Sequence, residues 1–164
     1  MVVIKALAAV LVLFTARTLT AEYKKFTEKR LAVLDGFISL LAFIKNELSC
    51  RARTSAEWAG EFASASLNEI GFTDELVRTG SLHSAFLHVN EGGTALGDES
   101  RKLLGSYFSS FGKSYREEEI KEASRVHEEL LRIVSREKND IQRSLRATHV
   151  LTYATAVGLI ILFL

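Results

Sequence analysis

The sequence predicts an all-α fold, in which an antiparallel helical bundle of about five to six helices is inserted between an N-terminal and a C-terminal transmembrane helix. Proline is absent from the 164 residues, which permits long helices because a proline inside a helix removes a hydrogen bond and clashes with the preceding turn. Apolar residues recur at spacings of three and four through the middle of the chain, whereas strand-like alternation is nowhere sustained. Apolar residues also crowd at both ends, which predicts the membrane segments.

Each end of the chain carries an apolar segment close to the length of a membrane span. The first is segment 1–21, whose apolar centre at residues 6–14 lies between Lys5 and Arg17, and the second is segment 148–164. A spanning helix needs about 17–25 residues, so both segments are at the short end of the range. The long side chains of Lys5 and Arg17 can reach towards lipid headgroups and so extend the first segment.

A cleaved signal peptide is the alternative interpretation of segment 1–21, since it has a basic start and a short apolar core. Cleavage after Ala21 would put the bulky Leu19 where a small residue is needed. Several basic residues follow closely, and positive charge resists translocation. These features favour a retained membrane segment.

Basic residues next to the apolar segments predict the orientation of the chain. They lie on the side of each segment that faces the middle of the chain: Arg17, Lys24, Lys25, Lys29 and Arg30, then Arg136, Lys138, Arg143 and Arg146. The positive-inside rule then places the middle of the chain in the cytoplasm and both termini across the membrane. The predicted division is an N-terminal transmembrane segment at 1–21, a cytoplasmic bundle at 22–147 and a C-terminal transmembrane segment at 148–164.

The middle of the chain is close to neutral, since it carries all 20 acidic residues and every basic residue except Lys5 and Arg17. A near-neutral domain gives no electrostatic reason to expect nucleic acid as a partner. The single cysteine, Cys50, excludes an intrachain disulfide. We expect Cys50 to be buried or half-buried, because free cysteine is among the most buried residue types.

Periodicity places the first two helices of the bundle. Helix one is predicted at 22–48, where Leu34, Phe37, Leu41, Ile44 and Leu48 lie on one face. The pair Thr54 and Glu57 forms a capping-box pattern that opens helix two. Helix two is predicted to bury Trp58, Phe62 and Ala65 and to end at Gly71.

Three more helices complete the prediction. Helix three lies within 74–89, weakened by Gly80, and residues 90–97 form a loop. Helix four begins near Asp98 and ends at Gly112. Ser114 and Glu117 form a second capping-box pattern, which opens helix five. The apolar stripe of helix five continues into segment 148–164, which predicts one helix of about fifty residues.

No pattern in the sequence indicates catalysis, a cofactor or a metal site. The triplet of Gly112, Lys113 and Ser114 resembles the end of a phosphate-binding loop, but Tyr107 stands where that motif needs a glycine. His83 and His88 are five residues apart, whereas metal-binding pairs on a helix prefer four. His127 lies on the apolar stripe of helix five and is interpreted as a structural residue.

Three stretches resemble the stage III sporulation protein AB family of endospore-forming bacteria. They are LAVLDGFISLLAFIKNEL (31–48), LLGSYFSSFGKSYREEEIKEA (103–123) and the basic helix that runs into the C-terminal apolar segment (136–164). The family is similar in turn to the cytoplasmic module of the F-type platform proteins of type II secretion and type IV pilus machines.

This resemblance implies a non-enzymatic platform subunit in a secretion-like channel complex between mother cell and forespore. It implies a location in the mother-cell membrane around the forespore, with the bundle in the cytoplasm. The implied partners are the stage III sporulation protein AA ATPase and other stage III sporulation subunits, and assembly of the chain into a homo-oligomer stays open. The surface predicted to dock the ATPase is the mixed-charge helix start: Arg116, Glu117, Glu118, Lys121 and Arg125.

Two other functions stay open at the level of sequence. One is a membrane-anchored sensor or signalling protein with an extracytoplasmic bundle, which requires the opposite topology. The other is an enzyme of unrecognised type, for which the sign would be a pocket with convergent ionisable groups of shifted pKa.

Overall fold

A computed structural model of the chain describes residues 2–51, 53–93 and 96–163. The described residues form helices and no strand, which confirms the all-α class. The helices are α1 (Val2–Cys50), α2 (Ser55–Trp58), α3 (Ala65–Glu69), α4 (Phe72–Thr79), α5 (Leu82–Glu91), α6 (Asp98–Ser110) and α7 (Arg116–Phe163).

The chain divides into two compact units, to both of which α1 and α7 contribute. Residues 29–135 form one unit, called the bundle here, and the described residues of 1–28 and 136–164 form the other, called the end unit. The boundaries predicted from the sequence, at 21–22 and 147–148, concern where a bilayer would begin and stay predictions.

Aromatic side chains form the centre of the bundle core. Phe37 of α1 has no exposed surface, and its ring lies edge-on to Phe72 of α4 at 5.2 Å and to Phe86 of α5 at 6.1 Å. Phe108 of α6 lies 6.1 Å from the same ring. Such edge-to-face pairs add to the gain from burying the rings. Four helices therefore meet at Phe37, which belongs to the stripe predicted for helix one.

Gly36 lets α3 approach α1 closely. A Cβ atom at this position would lie 2.6 Å from Ser66 Oγ and 2.8 Å from Leu67 Cγ. Both distances are shorter than a van der Waals contact, so any larger residue would push α3 away. Because Leu67 is fully buried in the core, that movement would also open the packing around it.

The middle of the bundle contains more helix breaks than the sequence predicted. Predicted helix two is two short helices, α2 and α3, and Ala65 is exposed at the start of α3 while Leu67 is buried. Predicted helix three is also two helices, because Gly80 adopts a left-handed φ of 64° that ends α4. The Ser55 hydroxyl then donates a 2.6 Å hydrogen bond to the Gly80 carbonyl.

Other predicted boundaries agree with the structure. The Thr54 backbone N–H donates to the Glu57 carboxylate at 2.7 Å, which confirms the first capping box. Helix α6 begins at Asp98, as predicted. Helix α7 runs for 48 residues without a break, which confirms the single long helix that the stripe predicted.

The end unit contains the predicted membrane segments 1–21 and 148–164, and most of their side chains lie outside the part of the chain that the structure describes. Among the described residues, no helical stretch has both the length and the apolar character that a membrane span requires. Among the side chains that are described, Phe14, Val150 and Leu151 are 67%, 70% and 70% exposed.

Candidate docking surface at the start of α7

The turn between α6 and α7 is held by a buried carboxylate. Gly112 adopts a φ of 80°, a conformation that glycine reaches without strain. Glu119, only 6% exposed, accepts hydrogen bonds from the backbone N–H groups of Gly112 at 2.9 Å and Ser114 at 3.2 Å. These are the N–H groups that a phosphate would need, so the turn is not a phosphate-binding loop. Glu119 anchors the turn, a role the sequence analysis had given to Glu117.

Arg116 connects the start of α7 to the end of α1. Its Nε donates to the carbonyl oxygen of Leu48 at 2.5 Å, and its Nη2 donates to that of Ser49 at 2.7 Å. The last carbonyl groups of a helix lack intrahelical partners, and a cation there complements the helix dipole. Arg116 is exposed but already committed to a structural contact.

The remaining predicted docking residues lie exposed along α7. Glu117, Glu118, Lys121 and Arg125 are all exposed. The spacings of three and four from Glu118 to Lys121 and Arg125 place these three on one face of the helix. The same spacing continues to two exposed residues that the sequence analysis missed, which completes a set called the charged stripe here: Glu118, Lys121, Arg125, Glu128 and Arg132.

Ion pairs within α7 hold part of the charged stripe. Arg125 Nη2 lies 2.5 Å from Glu122 Oε1, and Arg132 Nη1 lies 3.5 Å from Glu129 Oε2. The hydrogen bond from Arg125 lowers the pKa of Glu122, and the same bond raises the pKa of Arg125. Exposed pairs of this kind contribute little to stability, so a partner can compete for both arginines at small cost.

Two exposed apolar residues accompany the stripe. Tyr115, directly before α7, is 84% exposed, and Leu131 is 41% exposed beside Arg132. Tyrosine and arginine are enriched among the residues that dominate binding energy at protein interfaces. The surface at the start of α7 therefore combines exposed charged side chains with an exposed tyrosine, and the prediction that it docks a partner stays a prediction.

An Arg–Glu network shapes the end of α1, near the residues that Arg116 contacts. Glu47 is buried, and Arg53 Nη2 donates to it at 2.6 Å. The Arg53 guanidinium also binds Glu61 and lowers the pKa of that carboxyl. Cys50, the last residue of α1, is exposed. Our expectation of a buried Cys50 was wrong, because the core face of α1 ends before it.

The described residues contain no arrangement that indicates catalysis. No group of three or more His, Cys, Asp or Glu side chains is placed to hold a metal ion within the described part of the chain. A groove of about 390 Å³ lies beside α3 and α4, lined by Phe62, Ala63, Ser64, Ala65, Asn68, Thr73, Asp74 and Val77. Asp74 is the one ionisable group in that lining, so the groove lacks convergent acid–base groups.

Comparison with known protein families identifies the chain. The model of stage III sporulation protein AB matches residues 5–164. The chain belongs to the stage III sporulation protein AB family. This confirms the resemblance of residues 31–48, 103–123 and 136–164, and it assigns the chain a role in stage III of sporulation. No curated protein and no solved structure matches the chain.

Proposed function

We propose that the chain is a non-enzymatic membrane platform subunit of a secretion-like channel complex between mother cell and forespore. In this proposal the end unit attaches the protein to the mother-cell membrane around the forespore, and the bundle lies in the cytoplasm. The bundle docks the stage III sporulation protein AA ATPase and holds it next to the other stage III subunits.

Exposed apolar side chains in the end unit support the membrane attachment. Phe14 ends the apolar centre at residues 6–14, and Val150 and Leu151 lie near the inner end of the mainly apolar segment 148–164. A folded protein in water gains by burying such residues, at about 25 cal/mol for each Å² removed from water. Contact with lipid acyl chains gives the same gain without any further protein surface.

The charged stripe of α7 is the observation that carries the docking proposal. It presents the adjacent cations Lys121 and Arg125 between Glu118 and Glu128. A fixed pattern of positive and negative charge can set the register and the choice of a partner with the complementary pattern. Tyr115 supplies an apolar anchor next to it. Arg116 fixes the position of this surface relative to α1 within the bundle, so a partner meets a preformed face.

The test is a binding titration between the full chain in a mild detergent and the purified AA ATPase. We expect the double charge reversal Lys121→Glu with Arg125→Glu to weaken binding at least tenfold, since like charges replace opposite ones. Tyr115→Ala removes the anchor and is expected to weaken binding about thirtyfold, the effect of losing roughly 2 kcal/mol.

The matched control is Lys45→Glu with Lys102→Glu, which changes the net charge equally at exposed positions of α1 and α6. We expect this control to bind like the unaltered chain. Binding that survives both α7 variants would contradict the proposed surface, and absence of any binding by the unaltered chain would contradict the ATPase as partner.

A further inference from the structure

Three arginines of the end unit are exposed and pair with no acidic side chain among the described residues. Arg17 lies in α1, and Arg143 and Arg146 lie in α7. None of the three forms an ion pair or hydrogen bond with a residue that the structure describes. Asp140 lies one turn before Arg143, yet the two do not pair. By contrast, the nearby lysines of α1 are paired, as in Lys24 with Glu28 at 3.7 Å.

The unpaired arginines lie next to the exposed apolar residues on both helices. Phe14 precedes Arg17 by three residues, and Val150 follows Arg146 by four. Because a helix rises about 1.5 Å per residue, these separations are about 4.5 and 6 Å along the helix axes. Spacings of three and four also put each arginine on the same helix face as its apolar neighbour. Both helices therefore change from apolar to cationic over one turn.

We propose that Arg17, Arg143 and Arg146 bind the phosphate groups of anionic phospholipids. This inference rests on the membrane attachment proposed above. If Phe14 and Val150 contact acyl chains, the guanidinium groups one turn further along lie at the depth of the headgroup phosphates. A guanidinium binds a phosphate through two parallel hydrogen bonds, a geometry that lysine does not provide.

The excess of unpaired positive charge selects anionic lipids over zwitterionic ones. A zwitterionic headgroup brings its own ammonium group, which competes with arginine for the phosphate, whereas phosphatidylglycerol brings none. Asp140 is the one exposed carboxylate close to Arg143 in sequence, so it offsets only part of the local positive charge. Each basic residue near an anionic bilayer surface strengthens attachment about fivefold.

The test measures lipid affinity for the full chain in uncharged detergent micelles, by native mass spectrometry during titration with phosphatidylglycerol or phosphatidylcholine. We expect phosphatidylglycerol to bind more tightly. The variant Arg143→Gln with Arg146→Gln should lower the affinity for phosphatidylglycerol about twenty-five-fold, from two losses of about fivefold each, and leave the affinity for phosphatidylcholine unchanged.

Two further variants separate the effect of the paired hydrogen bonds of arginine from the effect of its positive charge. Arg143→Lys with Arg146→Lys keeps the charge but loses the paired hydrogen bonds, and is expected to give an intermediate affinity. Lys45→Gln with Lys102→Gln removes the same net charge from exposed positions of the bundle, and is expected to have no effect. An excess of inorganic phosphate should not displace the bound lipid.

Equal binding of the two lipids, or an equal loss in the Lys45 and Lys102 control, would overturn the inference. Displacement by inorganic phosphate would overturn it too, since the arginines would then form a site for a free anion. Alkaline extraction of liposomes that contain the full chain distinguishes the two proposals. A chain that resists extraction but binds both lipids equally refutes only the lipid preference, while a chain that is extracted refutes the membrane attachment and this inference with it.

Discussion

The bundle and the end unit expose the same types of apolar residue to opposite extents. In the bundle, Phe37 has no exposed surface and lies among the rings of Phe72, Phe86 and Phe108. In the end unit, Phe14 is 67% exposed. The bundle thus buries most of its large apolar residues within the chain, whereas the end unit leaves the described side chains of Phe14, Val150 and Leu151 uncovered. The difference is the one that the proposed membrane attachment of the end unit requires, and it makes the core of the bundle independent of that attachment.

The largest expected effect is on the bundle core. Phe37→Ala should lower the free energy of unfolding of the bundle by about 3–5 kcal/mol, because it removes a buried ring and leaves a cavity among three others. Fluorescence of Trp58, the one tryptophan of the chain and fully buried in the bundle, reports this unfolding in urea for the full chain in detergent. Phe14→Ala is the matched control and should leave the urea midpoint unchanged, since no core surrounds that ring. A similar loss of unfolding free energy in both variants would contradict the difference drawn here between the bundle and the end unit.

A smaller loss is expected where α3 meets α1. Gly36→Ala places a methyl group 2.6 Å from Ser66 Oγ, and overpacking of this kind costs about 1–3 kcal/mol. The same urea titration measures it. Gly60→Ala is the control, because a Cβ atom there meets no atom within 4 Å. If the two variants are equally stable, the close approach of α3 does not limit the size of residue 36.

The stability of the turn before α7 should depend on the carboxylate of Glu119. Glu119→Ala removes the charged acceptor of two part-buried hydrogen bonds, from the N–H groups of Gly112 and Ser114, at a cost of about 1–3 kcal/mol. Glu117→Ala, two residues earlier and exposed, should cost well under 1 kcal/mol. The two urea midpoints decide which glutamate anchors the turn, and a larger loss from Glu117→Ala would contradict the account.

The smallest effect is the acid sensitivity of the bundle. Hydrogen bonds from Arg53, Arg78 and Arg125 lower the pKa values of Glu61, Glu75 and Glu122 respectively. A carboxyl with a lower pKa in the folded state stabilises the fold above its unfolded pKa, and that contribution is lost as pH falls through the folded pKa.

We therefore expect the melting temperature of the bundle to stay constant from pH 7 to about pH 5 and to fall below about pH 4. The variant Glu61→Gln with Glu75→Gln should reduce the slope of that fall, since two of the linked groups no longer titrate. Because Glu61 is exposed and Glu75 pairs with an exposed arginine, the change should be modest. A melting temperature that rises as the pH falls would contradict this prediction.

The sequence was sufficient to predict helices and their buried faces where a long helix repeats one pattern over many turns. The stripe of Phe37 and its neighbours, and the uninterrupted α7, follow directly from spacings of three and four. It was insufficient in the middle of the bundle, where short helices contain too few turns for a period to be recognised. Leu67 and Phe72 are both fully buried, yet neither belongs to a stripe long enough to predict its burial.

The candidate site was predictable in its composition but not in its contacts. Exposure of Lys121 and Arg125 follows from their place opposite the apolar stripe of α7. The bond between Arg116 and the carbonyl of Leu48 joins residues that are 68 positions apart, and no local pattern predicts such a contact. The capping-box spacing favoured Glu117 for the same reason, because it considers only neighbouring residues and not the buried position of Glu119.

The central claim is that the bundle lies on the cytoplasmic side of a membrane, and Cys50 tests it most directly. Cys50 is the one cysteine of the chain and is exposed on the bundle, so a maleimide reagent reaches it wherever the bundle is accessible. With a membrane-impermeant maleimide, the account predicts no labelling of Cys50 in intact non-sporulating cells that express the chain in their surface membrane, and full labelling after that membrane is permeabilised. Labelling of Cys50 in intact cells would contradict the account and would favour a bundle outside the cytoplasm.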